Sequence, residues 1–402
     1  MQKINKICLE LILFFSSFCY LKFFNLGTKS DLQIYYFIVS FIVLIVSSLI
    51  KINKNMIKVL LCLAIISLWN LRIDYINSLS FFRGIFGYLS FTVVFFAIYK
   101  ILNKKNLNLV ERRIKIYFWI WNIVALFQII DKSLFIFWRY RASMGQGRGA
   151  VSFATEPAYF SFFLILSSLI LYSIDKKNKK YLIYSFISCS VLARSFIGIV
   201  YLSIIIFICY LNKKNLFKIL GTAILILLLE YIIIQYLPEN SPYRVVRLLK
   251  QFLKEPFLIF LKDKSIRERI IHIIFSLKGS CENFFMPKGF STWVKYSSIN
   301  RIIYKDFFSF DIREIEKYTL YVFDKKNIIN NNINTMLGGI FYELGFLGFI
   351  FYHKIYKICL NKKVWIIILI LSLDGLNITN PYLAILLAIN YFLYKNRKIN
   401  IL

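Results

Sequence analysis

The chain has 402 residues, of which 59% are hydrophobic and 18% aromatic, and it carries a formal net charge of +31. A soluble chain of this length would carry more charge and shorter apolar runs, so a mean hydropathy of +0.64 points to an all-α, polytopic integral membrane protein. The basic residues gather in short clusters between apolar runs, which is topological charge, and nucleic acid is excluded as a partner on that ground.

Apolar runs predict helices over 7–24, 32–50, 56–71, 79–101, 114–130, 157–174, 181–211, 219–236, 333–353 and 364–394. The first run has no small-residue cleavage site after it, so it reads as a membrane helix rather than a signal peptide. Lys/Arg clusters lie at Lys3/Lys6, Lys51–Lys58, Lys100–Lys115, Lys176–Lys180, Lys213–Lys218, Lys354–Lys363 and Lys395–Lys398. The positive-inside rule places all of them in the cytoplasm. Two runs then have a cluster at both ends and must turn back, 181–211 near Arg194-Ser195 and 364–394 near residues 374–381. The result is about twelve crossings, with both termini cytoplasmic.

This topology divides the chain into three parts. Residues 1–236 form a helix bundle with an external loop at 131–156, 237–332 form one large extracytoplasmic loop, and 333–402 return to the bundle. Within the long loop, Val245, Leu248, Leu249 and Phe252 share a helical face opposite Arg244, Arg247, Gln251 and Lys254, the pattern of a helix lying in the membrane interface. Ser265 and Glu268 are spaced as a capping box that would open a second helix.

Ionisable residues in or beside membrane helices are costly, and each needs a partner or a task. On this topology Arg72, Asp74, Arg83, Arg139, Arg141, Arg148, Glu156, Arg194 and Asp374 lie at the outer ends of helices, with Glu230 and Glu343 nearer mid-depth. Any one of them is explained by a snorkelling charge or an interhelical ion pair. Several arginines together on the outer side run against the usual charge bias. They suit a phosphate or diphosphate, because the guanidinium fork binds phosphate oxygens in pairs and stays charged.

The stretch from Gly145 to Ser161 (GQGRGAVSFATEPAYFS) concentrates these features. Its plain structural reading is a helix entrance, with Thr155 as the cap, Glu156 complementing the dipole and Pro157 in the first turn. Its functional reading adds Arg148 as an anion ligand, glycines 145, 147 and 149 letting the backbone approach that ligand, and Glu156 as a general base. No GK[ST] follows, so this is not a Walker loop. His272 fits a satisfied buried histidine as well as a catalytic one, and His353 reads as a cation near a helix C-terminus. The seven cysteines form no CxxC pair, and five of them (Cys8, Cys19, Cys62, Cys189 and Cys209) lie in apolar segments. No carboxylate pair or His/Cys cluster has metal-ligand spacing, so neither metal nor soluble cofactor is expected.

Arg148-Gly149 followed by Thr155-Glu156-Pro157 resembles the arginine–glycine and Glu-Pro signature of the Wzy-type O-antigen and capsular polysaccharide polymerases. Ala158 stands where that family usually has serine. Further segments resemble the family in order: Arg194-Ser195 with Gly198, then Arg267, Arg269, Pro287 and Gly289, then Glu343-Leu344-Gly345. The resemblance implies a bundle similar to the GT-C-like polymerases, in the bacterial cytoplasmic membrane. It implies transfer of a glycan from undecaprenyl diphosphate to another lipid-linked repeat unit, with a flippase and a chain-length regulator as further partners. Glu156, Arg148 and Arg194 become catalytic candidates, and Arg141, Arg267, Arg269, Arg83 and Glu343 substrate-binding candidates. A lipid-linked oligosaccharide flippase, an O-antigen ligase and a non-catalytic assembly scaffold remain open as alternatives.

Overall fold

Long apolar segments without water to pair their backbone must pair it internally, and helices do so within one segment. In a computed structural model of the chain, the described residues are 2–20, 34–48, 54–70, 78–135, 148–210, 244–254, 264–290, 335–359, 361–373 and 375–399. Every regular element among them is helical. They are α1 (Gln2–Ser17), α2 (Ile34–Ser48), α3 (Lys54–Asn70), α4 (Ser78–Ile101), α5 (Lys104–Ile130), α6 (Pro157–Ile174) and α7 (Lys180–Ser188). There follow α8 (Phe196–Tyr210), α9 (Arg244–Lys254), α10 (Lys264–Glu282), α11 (Met336–Leu344), α12 (Leu347–Ile358), α13 (Lys362–Ser372) and α14 (Pro381–Ile399). Among the described residues three helices are long and apolar enough to cross a membrane, Gly84–Ile101, Lys104–Ile130 and Pro157–Ile174, and several shorter apolar helices accompany them.

Helix α6 is the centre of the bundle. It touches α5, α7, α8 and α14, and an unbroken buried run extends from Phe160 to Tyr172. Its serines bond back to carbonyls of the same helix, Ser161 Oγ to Pro157 (3.0 Å) and Ser167 Oγ to Phe163 (2.6 Å), so these two hydroxyls are paired within the apolar interior. By contrast α5 buries one face and turns Trp119, Ile123, Leu126, Phe127 and Ile130 outward. An outward row of large apolar side chains is what a helix bordering lipid presents.

Among the described residues, four of the basic clusters converge on one end. Asn178 Nδ2 donates to Glu111 Oε1 (2.9 Å), Lys363 Nζ to the Cys209 carbonyl (3.3 Å), Asn361 Nδ2 to Tyr172 Oη (3.2 Å) and Lys395 Nζ to Tyr99 Oη (3.0 Å). Those bonds join the clusters at 100–115, 176–180, 354–363 and 395–398. At the other end Ser17 Oγ meets Tyr382 Oη (2.7 Å), and Tyr36 Oη donates to the Thr379 carbonyl (3.0 Å). Both long runs are broken near the expected positions. A π-helical turn over Cys189–Ala193 ends at Arg194 before α8, and α13 gives way to α14 across 373–380.

Several boundaries differ from the sequence expectation. Helix α5 starts ten residues earlier than 114, because Asn103 caps it by accepting from the Asn106 N–H (2.7 Å) and Val110 and Ile114 bury one face despite the charges around them. Helix α10 already includes Lys264, so Ser265 lies inside it and does not open it as a capping box. The late helix is broken at Gly345 (φ +57°), where a Cβ would strike the Phe285 carbonyl. It then runs on to Ile358, so the exposed His353 is not in its last turn. The run at 219–236 and Glu230 lie outside the described residues.

Close packing at small residues generates a stability test. A Cβ on Gly198 of α8 would come within 2.6 Å of Ser161 Oγ and 2.7 Å of Ser161 Cβ on α6. Gly198→Ala is expected to lose about 1–3 kcal/mol of stability by overpacking. Adding Ser161→Gly should restore part of it, as read by thermal unfolding of the purified protein in detergent.

Candidate functional site

The segment 148–156 has no regular secondary structure, so its shape is decided by where its backbone groups bond. The Ala150 N–H donates to the Leu192 carbonyl (2.8 Å), and a Cβ on Gly149 would fall on the Ala193 carbonyl. Gly149 therefore serves a close approach to the π-helical turn of 189–193, not to a ligand. This contact sets the backbone of Arg148 against the end of the turn that carries Arg194. Glycines 145 and 147 lie outside the described residues.

Arg194 itself is left-handed (φ 46°, ψ 46°), a conformation that costs a non-glycine residue energy and persists only when the surroundings enforce it. They do so from both sides. The Ser195 N–H reaches back to the Cys189 carbonyl (3.1 Å), and Ser195 Oγ accepts from the Gly198 N–H (3.3 Å), capping α8. The Ser-x-x-Gly pattern is thus a capped helix entrance, with Gly198 admitting α8 against Ser161.

Glu156, not Thr155, occupies the cap position of α6, with extended backbone (φ −145°, ψ 156°) and Pro157 beginning the helix. Its side chain makes no capping hydrogen bond and is half-buried, whereas Thr155 is buried. The carboxylate therefore stands at the helix N-terminus, a position that favours negative charge, without being consumed by the cap.

A side chain not singled out in the sequence holds this segment. Gln128, buried near the end of α5, accepts from the N–H groups of Ser152 (2.7 Å) and Val151 (3.2 Å). It donates to the carbonyls of Ser152 (3.0 Å) and Leu134 (3.2 Å). Ser152, at φ +51°, adds a bond from its Oγ to the Trp121 carbonyl (2.7 Å). Beneath lies an aromatic floor, with the Trp121 and Phe163 rings stacked 3.9 Å apart and Phe153 set edge-on to Phe18 at 5.1 Å. The turn after α5 is fixed as well. Ser133 donates to Asp131 from its N–H and its hydroxyl, and these bonds hold the Asp131 carboxyl below its usual range. The legible signal for Gln128 is an amide near the end of an apolar run.

The remaining candidates fall into two groups around the 375–380 turn. On one side the Arg269 guanidinium lies beside Gly375 and Phe162, where a Gly375 Cβ would sit 3.7 Å from Arg269 Nε and 3.4 Å from the Phe162 ring. On the other, Thr379 packs against Gly87 of α4, and Tyr88 Oη donates to Glu343 Oε2 (2.7 Å). The Gly289 N–H donates to the Glu343 carbonyl (3.1 Å) and the Phe346 N–H to the Phe285 carbonyl (2.6 Å), so the Pro287–Gly289 and Glu343–Gly345 motifs pack on each other. Phe290 is fully buried against Gly84, the neighbour of Arg83. Arg83 and Arg267 are placed on α4 and α10 by their backbone alone. Arg141, Arg139, Arg72, Asp74 and Asp374 lie outside the described residues. His272 is buried on α10, with its carbonyl against Gly338 of α11. Among the described residues no three His, Cys, Asp or Glu side chains are grouped to hold a metal ion.

No protein-family model, no characterised protein and no solved structure matches this chain.

Removing the Gln128 amide would leave two buried N–H groups unpaired, at about 1–3 kcal/mol each. Gln128→Ala is expected to raise hydrogen exchange at Val151 and Ser152 by at least about 30-fold, a loss of about 2 kcal/mol of protection. Gln128→Glu keeps the acceptor for both N–H groups and should show a smaller rise. Unchanged exchange in Gln128→Ala would mean that the segment is held by something else.

Proposed function

We propose that this chain is a metal-independent membrane glycosyltransferase that polymerises lipid-linked oligosaccharide repeat units. In this reading the bundle crosses the bacterial cytoplasmic membrane about twelve times with both termini and the basic end in the cytoplasm. The loop end then faces outward. The architecture is similar to the GT-C-like polymerases, and the substrates are two undecaprenyl-diphosphate-linked oligosaccharides, one donor and one acceptor. The observation that carries the reading is the convergence at one end of the bundle of Arg148, Arg194 and the uncapped carboxylate of Glu156. Arg269 lies beside Phe162 of α6, at Gly375.

The chemistry follows from those groups. A hydroxyl at the non-reducing end of the acceptor attacks the anomeric carbon of the donor glycan. The bond from that carbon to the diphosphate oxygen breaks, and its electron pair leaves with undecaprenyl diphosphate. Glu156, whose side chain makes no capping hydrogen bond, takes the proton from the attacking hydroxyl. Arg148 and Arg194 bind the diphosphate and stabilise the charge that grows on it as the bond breaks, the step where fixed cations contribute most. The cost of holding Arg194 left-handed fits a group whose direction matters more than its local stability. Arg269, with Arg267 on the same helix, contacts the second diphosphate. Arg83 and Arg141 add further anion-binding charge, while Glu343, which accepts a hydrogen bond from Tyr88, holds sugar hydroxyls. The lipid tails stay in the bilayer, so no soluble cofactor is required. A flippase delivers the substrate and a chain-length regulator limits the product.

In cells lacking this gene, Arg148→Ala is expected to reduce polymer formation by about 100-fold or more, the scale of losing one transition-state charge contact. Glu156→Gln should lose about 100-fold or more as a missing base. Single lipid-linked units should accumulate on the outer face in both cases. Full-length polymer from both variants at normal membrane abundance would refute the site and favour the scaffold alternative, and accumulation on the inner face would favour the flippase.

A further inference from the structure

Helix α10 does not stand above the bundle; it enters it. The His272 carbonyl and Ser276 Oγ pack on Gly338 near the start of α11, and the Phe285 carbonyl packs on Gly345 at its end. The two segments therefore run side by side in the same direction. After Gly345 the chain continues for a further helix, α12, of 12 residues, against 9 in α11. At 1.5 Å per residue, Gly345 lies about 14 Å along α11 from its start, about half the depth of a hydrocarbon layer of about 30 Å. The turn at 283–286 reaches the same depth.

That turn is built for such a place. The Phe284 N–H donates to the Cys281 carbonyl (3.0 Å), Phe285 to Ser280 (2.7 Å), Met286 to Asn283 (2.8 Å), Lys288 to Tyr342 (3.2 Å) and Gly289 to Glu343 (3.1 Å). Residue 287 is proline and has none to offer. Every backbone N–H from Phe284 to Gly289 is thus bonded within the protein, the condition for irregular backbone at membrane depth. The side chains do the opposite of what water would select. Phe284 and Phe285 both have positive φ (50° and 55°), an outlier for bulky residues. The result is that Phe284 projects outward at 90% exposure and Met286 at 52%, while Phe285 packs on the Phe349 ring at 5.2 Å. The outward pair continues the exposed apolar strip of Phe346, just before α12, and Phe349 and Ile350 on it. Lys278 and Glu282, one turn back on α10, pair with each other at 3.7 Å, and Lys288 is half-buried.

We propose that residues 264–290 form a re-entrant hairpin whose apex, Phe284 and Met286, sits in the hydrocarbon of the surrounding bilayer. The apex fixes the depth of α10, and through it the height at which Arg269 meets the 375–380 turn. The occupant of the apolar surface is the acyl chains of the bilayer, because the surface is continuous with the outward strip of a bundle helix and its backbone needs no water.

The test is the collision accessibility of a nitroxide at Phe284→Cys, in the full chain with Cys62→Ser and Cys281→Ser, reconstituted in phospholipid nanodiscs. Ile123→Cys, outward on α5, calibrates hydrocarbon, and Lys132→Cys, exposed beyond its end, calibrates water. The label at 284 should favour oxygen over a nickel chelate, as Ile123 does and Lys132 does not. Met286→Cys repeats the measurement if Phe284→Cys fails to fold. Preference for the nickel chelate would place the apex in water, and low collision with both reagents would place it under protein. Either result overturns the hairpin, and neither depends on the catalytic reading.

Discussion

A single buried amide decides the geometry of the candidate site. Between residues 148 and 156 the backbone belongs to no helix, yet it lies inside a helical bundle where water is scarce. Gln128 supplies two acceptor bonds and one donor bond to this region, and the Leu192 carbonyl accepts another from it. Those bonds fix where Arg148 leaves the loop and where Glu156 meets α6. They also tie the loop to the turn bearing Arg194, so the two arginines are placed by one contact surface rather than by two independent loops.

The same economy governs the rest of the bundle. Where helices or loops come very close, a small residue makes room: Gly149 on Ala193, Gly198 on Ser161, Gly338 on Ser276 and Gly345 on Phe285. Apolar helices in lipid gain little from hydrophobic contact with each other, so close backbone approach and satisfied polar groups carry the specificity. Polar bonds then mark the two ends. Lysines, asparagines and tyrosines join the helices at the basic end, and serine, tyrosine and threonine bonds join them at the loop end.

Much of this is legible in the sequence, and the exceptions among the polar residues share one cause. The turns at Arg194 and at 374–381 follow from charge clusters at both ends of an apolar run. The Glu-Pro entrance follows from proline at a helix start. What sequence could not show is which distant partner a polar residue finds. Gln128 binds residues up to 24 positions away, Tyr88 binds Glu343 across 255, and α10 lies along α11. An amide or carboxyl in an apolar helix announces that it needs a partner, but periodicity cannot name it. For the same reason Gly149 read as a ligand approach when the close neighbour is the protein's own backbone.

The proposed reaction joins two lipid-linked glycans at the loop end. The most direct measurement is turnover by the purified protein in liposomes carrying lipid-linked repeat units on one leaflet only, with protein oriented by its basic end. The account predicts a ladder of products when the substrate shares the leaflet with Arg148 and Glu156, formed without added metal. No ladder in that arrangement from folded protein supplied with its host's own repeat unit, or a ladder only when the substrate lies at the basic end, would contradict it.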